Sequence, residues 1–312
     1  MAFTMHSHSG QFCPGHAKDQ LEDIIKHAIS LGYTTIGLTE HMPRTSLDDL
    51  YPEELDDPEG SLAVLLPRHE AYLLETQRLQ AKYSSQIHIL IGFEGEWLRP
   101  GYEALVSELA AHPNVDYFVG SLHHINTIPI DYDGSYYARA VASAGGTEER
   151  AYARYYDQQY SMLQALQPRV VGHFDLVRLL SSQPGRDVRA EWPGVWGRIV
   201  RNLECVAAYG GWLECNTSAL RKGLAEPYPS RQVAEEWLRR GGRFTLSDDS
   251  HGVAQVGTNY ARALDFLAAL GVTALWKLRR DPREGLLAGG EKAGLVEEEV
   301  PLGDVRAVVS KW

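Results

Sequence analysis

Seven short segments dominated by apolar and β-branched residues punctuate the 312-residue chain, at 3–6, 34–39, 87–93, 117–122, 169–172, 212–215 and 243–246. Most are near-continuous apolar runs rather than strict alternations, the pattern of strands buried on both faces. Between them apolar residues recur at helical spacing, over 19–31, 68–83, 102–111, 147–166, 195–209, 230–240 and 260–270. In the first of these Leu21, Ile24, Ile25, Ala28 and Ile29 carry the apolar pattern, and Gly32 supplies the stop. Strand alternating with helix predicts parallel strands joined by crossover helices, an α/β fold. Seven such units predict a closed or nearly closed β/α barrel rather than an open sheet.

Two connections are long. Residues 43–67 are rich in Pro, Asp, Glu and Leu, and residues 125–146 in Tyr, Asp and Gly. Both read as functional lids or local excursions from one domain spanning 1–312. The run Glu297-Glu298-Glu299 reads as a solvated face.

The residues that close each predicted strand change the picture. In order they are His6-Ser7-His8, Glu40-His41, Glu94, His123-His124, His173, Asn216, and Asp248-Asp249-Ser250-His251. In a β/α barrel these ends share one face, where active sites are built. Of the 12 histidines, His27, His69, His88 and His112 fall in helical stretches or before a strand and read as structural. The other eight are His6, His8, His16, His41, His123, His124, His173 and His251. That many at strand ends points to metal binding. In His6-x-His8 both imidazoles can reach one ion as the chain leaves its strand. Neutral imidazole with carboxylate suits zinc, iron or manganese, and a carboxylate such as Glu94 can bridge two ions. The candidate ligands are His6, His8, His16, His41, Glu94, His123, His173, Asp249 and His251. Nine are too many for one tetrahedral ion and fit two or three divalent ions with room for water and substrate.

Charge and composition narrow the chemistry. Thirty Lys and Arg against 41 Asp and Glu give a net charge of −11. This weighs against a general partner among nucleic acids or anionic membranes, since both need a basic face. Three cysteines without a CxxC pair suit a reducing cytoplasm. No apolar run reaches the length of a membrane span, and Met1 to His6 has no signal-peptide pattern, so a cytoplasmic protein is expected. No GxSxG elbow or Walker A motif is present.

The motifs His6-x-His8, His16, Glu40-His41, Gly92-Phe93-Glu94, Ser121-Leu122-His123, Gly172-His173-Phe174-Asp175 and Ser247-Asp248-Asp249-Ser250-His251 together resemble the polymerase-and-histidinol-phosphatase (PHP) superfamily. The resemblance implies a distorted (β/α)7 barrel with its metal site at the C-terminal ends of the strands. It implies three ions: one on His6, His8, Glu94 and Asp249, a second sharing Glu94 with His123 and His173, and a third on His16, His41 and His251. Within the superfamily the stretches 121–131, 173–178 and 214–222 resemble the monofunctional histidinol-phosphate phosphatases, which convert L-histidinol phosphate and water to L-histidinol and phosphate in histidine biosynthesis. The chain departs from that pattern at Asn126-Thr127-Ile128, where a Gly is expected before Ile-Pro, and in a longer acidic segment over 48–60.

A small phosphorylated substrate, L-histidinol phosphate above others, is therefore the expected partner. Glu94, Asp249 and His251 are the expected catalytic residues, and Arg178, Arg221, Asn216 and His124 the expected substrate-binding ones. Arg178 follows His173 by five residues and Arg221 follows Asn216 by five, so both sit just past strand ends, and Arg recognises phosphate in a planar, bidentate way. Lys222 is a weaker candidate, and Glu40 reads equally as support for a ligand or as a structural residue. The expected reaction is metal-assisted hydrolysis of a phosphate monoester. The rival readings are a PHP-type nucleotide or oligonucleotide phosphoesterase and a non-catalytic PHP-like module, which loss of ligands would favour.

Overall fold

The computed structural model describes residues 1–280 and 294–312. In chain order its elements are β1 (Ala2–Thr4), α1 (Leu21–Ser30), β2 (Tyr33–Leu38), α2 (Pro58–Tyr83), β3 (His88–Glu96), α3 (Tyr102–Ala111), β4 (Tyr117–Ser121), β5 (His124–Ile125), β6 (Ile128–Pro129), α4 (Gly134–Ser143) and α5 (Glu148–Leu166). The chain continues through β7 (Val170–Val171), α6 (Val188–Glu191), α7 (Pro193–Tyr209), β8 (Trp212–Asn216), α8 (Ser218–Arg221), α9 (Arg231–Arg239), β9 (Phe244–Ser247), α10 (Tyr260–Ala269), β10 (Ala274–Arg280), β11 (Leu295–Pro301) and α11 (Leu302–Val309).

The sheet order is β1-β2-β3-β4-β7-β8-β9, and every pairing in it is parallel. The ring closes where the Met5 N–H donates to the Leu246 carbonyl at 3.1 Å and Ser7 bridges Ser250. The seven apolar segments are thus the seven strands of a nearly closed (β/α)7 barrel. They read as continuous apolar runs because crossover helices cover their outer faces while side chains fill the interior. Tyr117 crosses that interior to donate to the Met5 carbonyl at 2.6 Å. Gly37 makes the room, since a Cβ there would lie 2.0 Å from the Tyr117 hydroxyl.

Four features depart from the sequence reading. Helix α2 begins at Pro58, inside the stretch expected to be loop, and Pro67 lies within it. Pro67 is on the exposed side of the helix, where the carbonyl that loses its amide partner can face solvent. The second long connection holds the β5-β6 hairpin and α4. At the tip of that hairpin Asn126 (φ 51°) and Thr127 (φ 65°) are both left-handed, so the position where Gly was expected is one that a β-branched residue adopts only under strain. Finally, β10 and β11 form an antiparallel hairpin beneath the barrel; the Glu297-Glu298-Glu299 run lies in β11 and keeps its expected solvated face, with Glu297 and Glu299 exposed and Glu297 pairing with Arg169 and Arg243. Among the described residues no helix is long and apolar enough to cross a membrane.

Candidate metal centre

His6 and His8 leave β1 two residues apart, so both imidazoles turn to the same side of the extended chain. On β3 the same period brings Glu94 and Glu96 inward together at the strand's end. Three groups of donor atoms, each within 4.8 Å of one another, result: His6, His8 and Asp249; Glu94, His123 and His173; and His8, His41 and His251. Glu94 spans them. Its Oε1 lies 3.0 Å from His173 Nε2 and 3.3 Å from His123 Nε2, and its Oε2 lies 3.5 Å from both His6 and His8 Nε2 and 3.0 Å from His41 Nδ1. Asp249 Oδ1 lies 3.4 Å from His8 Nε2 and 3.7 Å from His6 Nε2. His173 (φ 20°) and Asp249 (φ 47°) both hold left-handed backbone, a conformation that L-residues keep only where the surroundings fix it.

The electrostatics ask for cations. Glu94, Glu96, Glu214 and Asp249 are all buried. Burial alone would push Glu94 and Asp249 up, but the surrounding imidazoles, His6 foremost, outweigh it and hold both well below the usual carboxylate range. Burial pushes His8 down to about 3, so its ring is a neutral donor. His6 Nε2, both nitrogens of His8 and His41 Nε2 are buried without a hydrogen-bond partner. Buried anions facing unpartnered imidazole nitrogens are costly in a bare pocket and are the donor set of a nitrogen-and-oxygen metal site. The residues present therefore fit divalent ions.

Beside these groups opens a cavity of about 360 Å³, lined by His16, His41, Glu94, His123, His173, Asp249 and His251 together with Tyr51, Glu53, Asp131, Tyr132, Arg221, Lys222 and Gln255. A model of the PHP domain matches residues 4–218. A Schizosaccharomyces pombe protein named "probable histidinol-phosphatase" is 42% identical over 90% of this chain and 91% of its own. The histidinol-phosphatase of Saccharomyces cerevisiae is 34% identical over 84% of this chain and 87% of its own. The chain belongs to the PHP family of histidinol-phosphatases. The solved histidinol phosphate phosphatase of Lactococcus lactis has the same fold, with a TM-score of 0.65 at 21% identity over 88% of this chain and 95% of that one.

Around this PHP-family site the sequence-predicted residues divide. Eight of the nine expected ligands meet in the three donor groups; His16 stands just outside them, and His8 is the third member of the group holding His41 and His251. Arg221 lines the cavity, its Nη1 and Nη2 donating to the Asp248 and Asp249 carbonyls at 3.0 and 2.8 Å. Arg178 does not line it. The tight turn Leu176–Arg178 folds its guanidinium inward, where Nη2 donates to the Glu226 and Pro227 carbonyls at 3.0 and 2.6 Å and Nε lies 3.1 Å from Asp175. Asn216 is likewise behind the cavity, donating to Glu214 at 2.7 Å and Asp249 at 3.2 Å. His124 is buried, stacked 5.9 Å from Tyr51, and burial pushes it down to about 4.

Sequence reasoning missed three carboxylates. Glu214 lies 3.0 Å from His6 Nδ1 and accepts from the His173 N–H at 2.6 Å, tying two strand ends together. Glu96 lies 2.9 Å from His41 Nδ1 and accepts from the Tyr51 hydroxyl. Glu53 lies 3.2 Å from His16 Nδ1. The Glu-x-Glu alternation in β3 was a usable signal for Glu96, and Glu214, a charge inside an apolar strand, was another. Glu40 is hydrogen-bonded to Ser9 rather than to a candidate ligand: its Oε1 accepts from the backbone N–H of Ser9 at 2.8 Å and from its hydroxyl at 2.6 Å, and its Oε2 lies 3.9 Å from His8 Nδ1.

Proposed function

We propose that this cavity hydrolyses L-histidinol phosphate to L-histidinol and inorganic phosphate. The observation that carries the reading is Glu94, one carboxylate between two sets of imidazoles beside a cavity whose wall also holds Arg221 and Lys222. The names of the two yeast relatives support the substrate, and the Lactococcus lactis structure is described as a complex with zinc, L-histidinol and phosphate.

His6, His8, Asp249 and Glu94 would hold one ion, Glu94, His123 and His173 a second, and His16, His41 and His251 a third. When bound, divalent ions such as zinc, iron or manganese supply Lewis-acid polarisation of the phosphoryl group and acidify a water. The protein's own residues do the positioning. Glu214 on His6 Nδ1 leaves Nε2 as the lone-pair nitrogen, and Asn216 with Ser218 holds Asp249 Oδ2 at 3.2 and 3.1 Å. Glu94, Asp249 and His251 line the cavity. The Asp248 and Asp249 carbonyls and, at 3.5 Å, the Thr258 hydroxyl orient the Arg221 guanidinium, and the N–H groups not used there would bind phosphoryl oxygens as charge builds on them. Lys222 Nζ, 3.9 Å from Asp131, adds a second cation. We assign Arg178 to holding the chain at 226–227 rather than to the phosphate.

The test is a substrate panel on metal-replete protein: histidinol phosphate, nucleoside monophosphates, a short oligonucleotide and simple monoesters. The expected result is the highest kcat/KM for histidinol phosphate. A preference for the nucleotides, or no phosphate release from any substrate, would overturn the reading.

A further inference from the structure

The acidic segment left over from the family resemblance folds as a strap across the mouth of the barrel, and it is tied down at several points. Asp49 accepts from Arg99 and from the Tyr102 hydroxyl. Glu54 accepts from Arg44 and, at 2.7 Å, from the Tyr51 N–H. The Tyr51 hydroxyl donates to Glu96, and the Arg44 guanidinium lies 4.1 Å over the Tyr51 ring. What these anchors deliver to the cavity is Tyr51 and Glu53. Both act on one residue. The Tyr51 ring stacks on His16 at 5.9 Å and 4°, and Glu53 Oε1 lies 3.2 Å from His16 Nδ1.

His16 needs such help. It stands on the loop after β1 rather than at a strand end, and its side chain is 38% exposed, while those of His8 and His41 are 0% and 8% exposed. A ring that exposed has rotamer freedom to lose before it can hold an ion. Its centroid is nevertheless only 5.2 Å from that of His41 and 4.8 Å from that of His251, edge-on to both. A neutral imidazole has one lone pair and His8 turns its Nε2 to Asp249, so His41 and His251 alone leave their ion two donors short of a tetrahedral site. An Nδ1–H held on Glu53 fixes the tautomer in which Nε2 carries the lone pair.

We propose that the strap secures one metal ion of the centre: Glu53 clamps His16, against the face of Tyr51, as the donor that joins His41 and His251. The inference rests on the metal reading of the site. Glu53 is then a positioning residue, touching neither ion nor substrate, and retention of one ion depends on a segment outside the barrel strands.

The experiment is competition for zinc between the full-length protein and a chromophoric chelator, with bound zinc counted per chain, for wild type, Glu53→Ala and Glu53→Gln. Thermal unfolding of each variant accompanies it. Glu53→Ala should lose one ion about 10- to 100-fold more readily than wild type, the loss expected when a supporting carboxylate is removed, with the other ions held as before. Glu53→Gln keeps a carbonyl acceptor for His16 Nδ1–H and should restore most of that retention, which a merely structural role would not predict. Excess zinc should also restore it in Glu53→Ala. Wild-type retention of every ion in Glu53→Ala, or loss of all ions together, would overturn the proposal. If the wild-type protein holds only two ions yet hydrolyses histidinol phosphate, the clamp fails and the assigned function stands. If Glu53→Ala sheds one ion of three but no form of the protein hydrolyses histidinol phosphate, the function fails and the clamp stands.

Discussion

The two ends of the barrel treat charge in opposite ways. Where the strands begin, Arg280 grips Asp116 through Nε and Nη2 at 2.7 and 2.8 Å, Glu297 joins Arg169 and Arg243, and Lys277 Nζ lies 3.3 Å from Glu298. Cation and anion are matched there by the chain itself. Where the strands end, Glu94, Glu214 and Asp249 face imidazoles, Arg44 approaches Glu96 at 3.8 Å, and several imidazole nitrogens have no hydrogen-bond partner. A matched end serves stability, because an unpaired buried charge is expensive. An unmatched end keeps its donors for a ligand, and its cost is met when the ligand binds. Substitutions in the donor set should therefore act on kinetics and metal content, and those at the matched end on stability.

The largest effect should come from Glu94→Gln, which removes the anion shared by two donor groups while keeping the side chain's shape. We expect kcat/KM for histidinol phosphate to fall at least about 100- to 1,000-fold, the scale of losing a principal source of transition-state charge stabilisation. Bound metal should fall with it. Wild-type kinetics at normal metal content would remove Glu94 from the ligand set.

Most of this contrast could be read from the sequence at one end only. Strands buried on both faces announce themselves, and the polar residue that stops each apolar run marks the mouth, so His6, His8, His41, Glu94, His123, His173 and Asp249 were legible together. The opposite end was not. In β10 apolar Leu275 and Leu278 are interleaved with Lys277, Arg279 and Arg280, a pattern that gains its meaning only from Glu298 and Asp116 far along the chain. The strap was equally opaque, since Pro52 and Pro58 suggested an irregular lid and only tertiary contact sets Glu53 against His16. Arg178 and Arg221 show the limit most plainly. Each follows a strand-end polar residue by five positions, yet one turns inward to main-chain carbonyls and the other opens on the cavity.

That pair supplies the next prediction. Arg221→Ala should lower kcat/KM about 10- to 150-fold, equivalent to a charge-assisted contact of about 1.5–3 kcal/mol, and should weaken inhibition by inorganic phosphate to a similar degree, with metal content unchanged. Arg178→Ala should instead leave Asp175 buried beside a lost partner and cost about 3–5 kcal/mol of stability, read by urea unfolding. Phosphate inhibition should be kept in whatever fraction remains folded. Loss of phosphate inhibition in Arg178→Ala with unchanged stability would return that residue to the binding site.

At the matched end the expected effect is smaller and depends on pH. His88 Nε2 accepts from the Arg280 N–H at 3.2 Å, so its ring is neutral when the hairpin is docked. Burial foremost, then Arg280, Lys277 and Arg279, push it down to about 4 from an ordinary value of 6.5. The unfolded chain therefore takes up this proton first. The stability that His88 confers is fully present above pH 6.5 and is lost as the pH falls from there towards 4. The full shift would be worth about 2 kcal/mol at pH 5, and partial solvent exposure of the ring reduces that to about 1 kcal/mol. His88→Gln keeps a carbonyl acceptor for Arg280 without a titrating group, so it should lose about 1 kcal/mol less than wild type between pH 7 and pH 5. Urea unfolding at the two pH values tests this, with a chelator present so that proton-driven metal release at the mouth does not contribute. Unfolding midpoints that shift in parallel for the two proteins would show that His88 is not the sensitive group. A change in kcat/KM at pH 7 in this variant would show that the two ends are coupled after all.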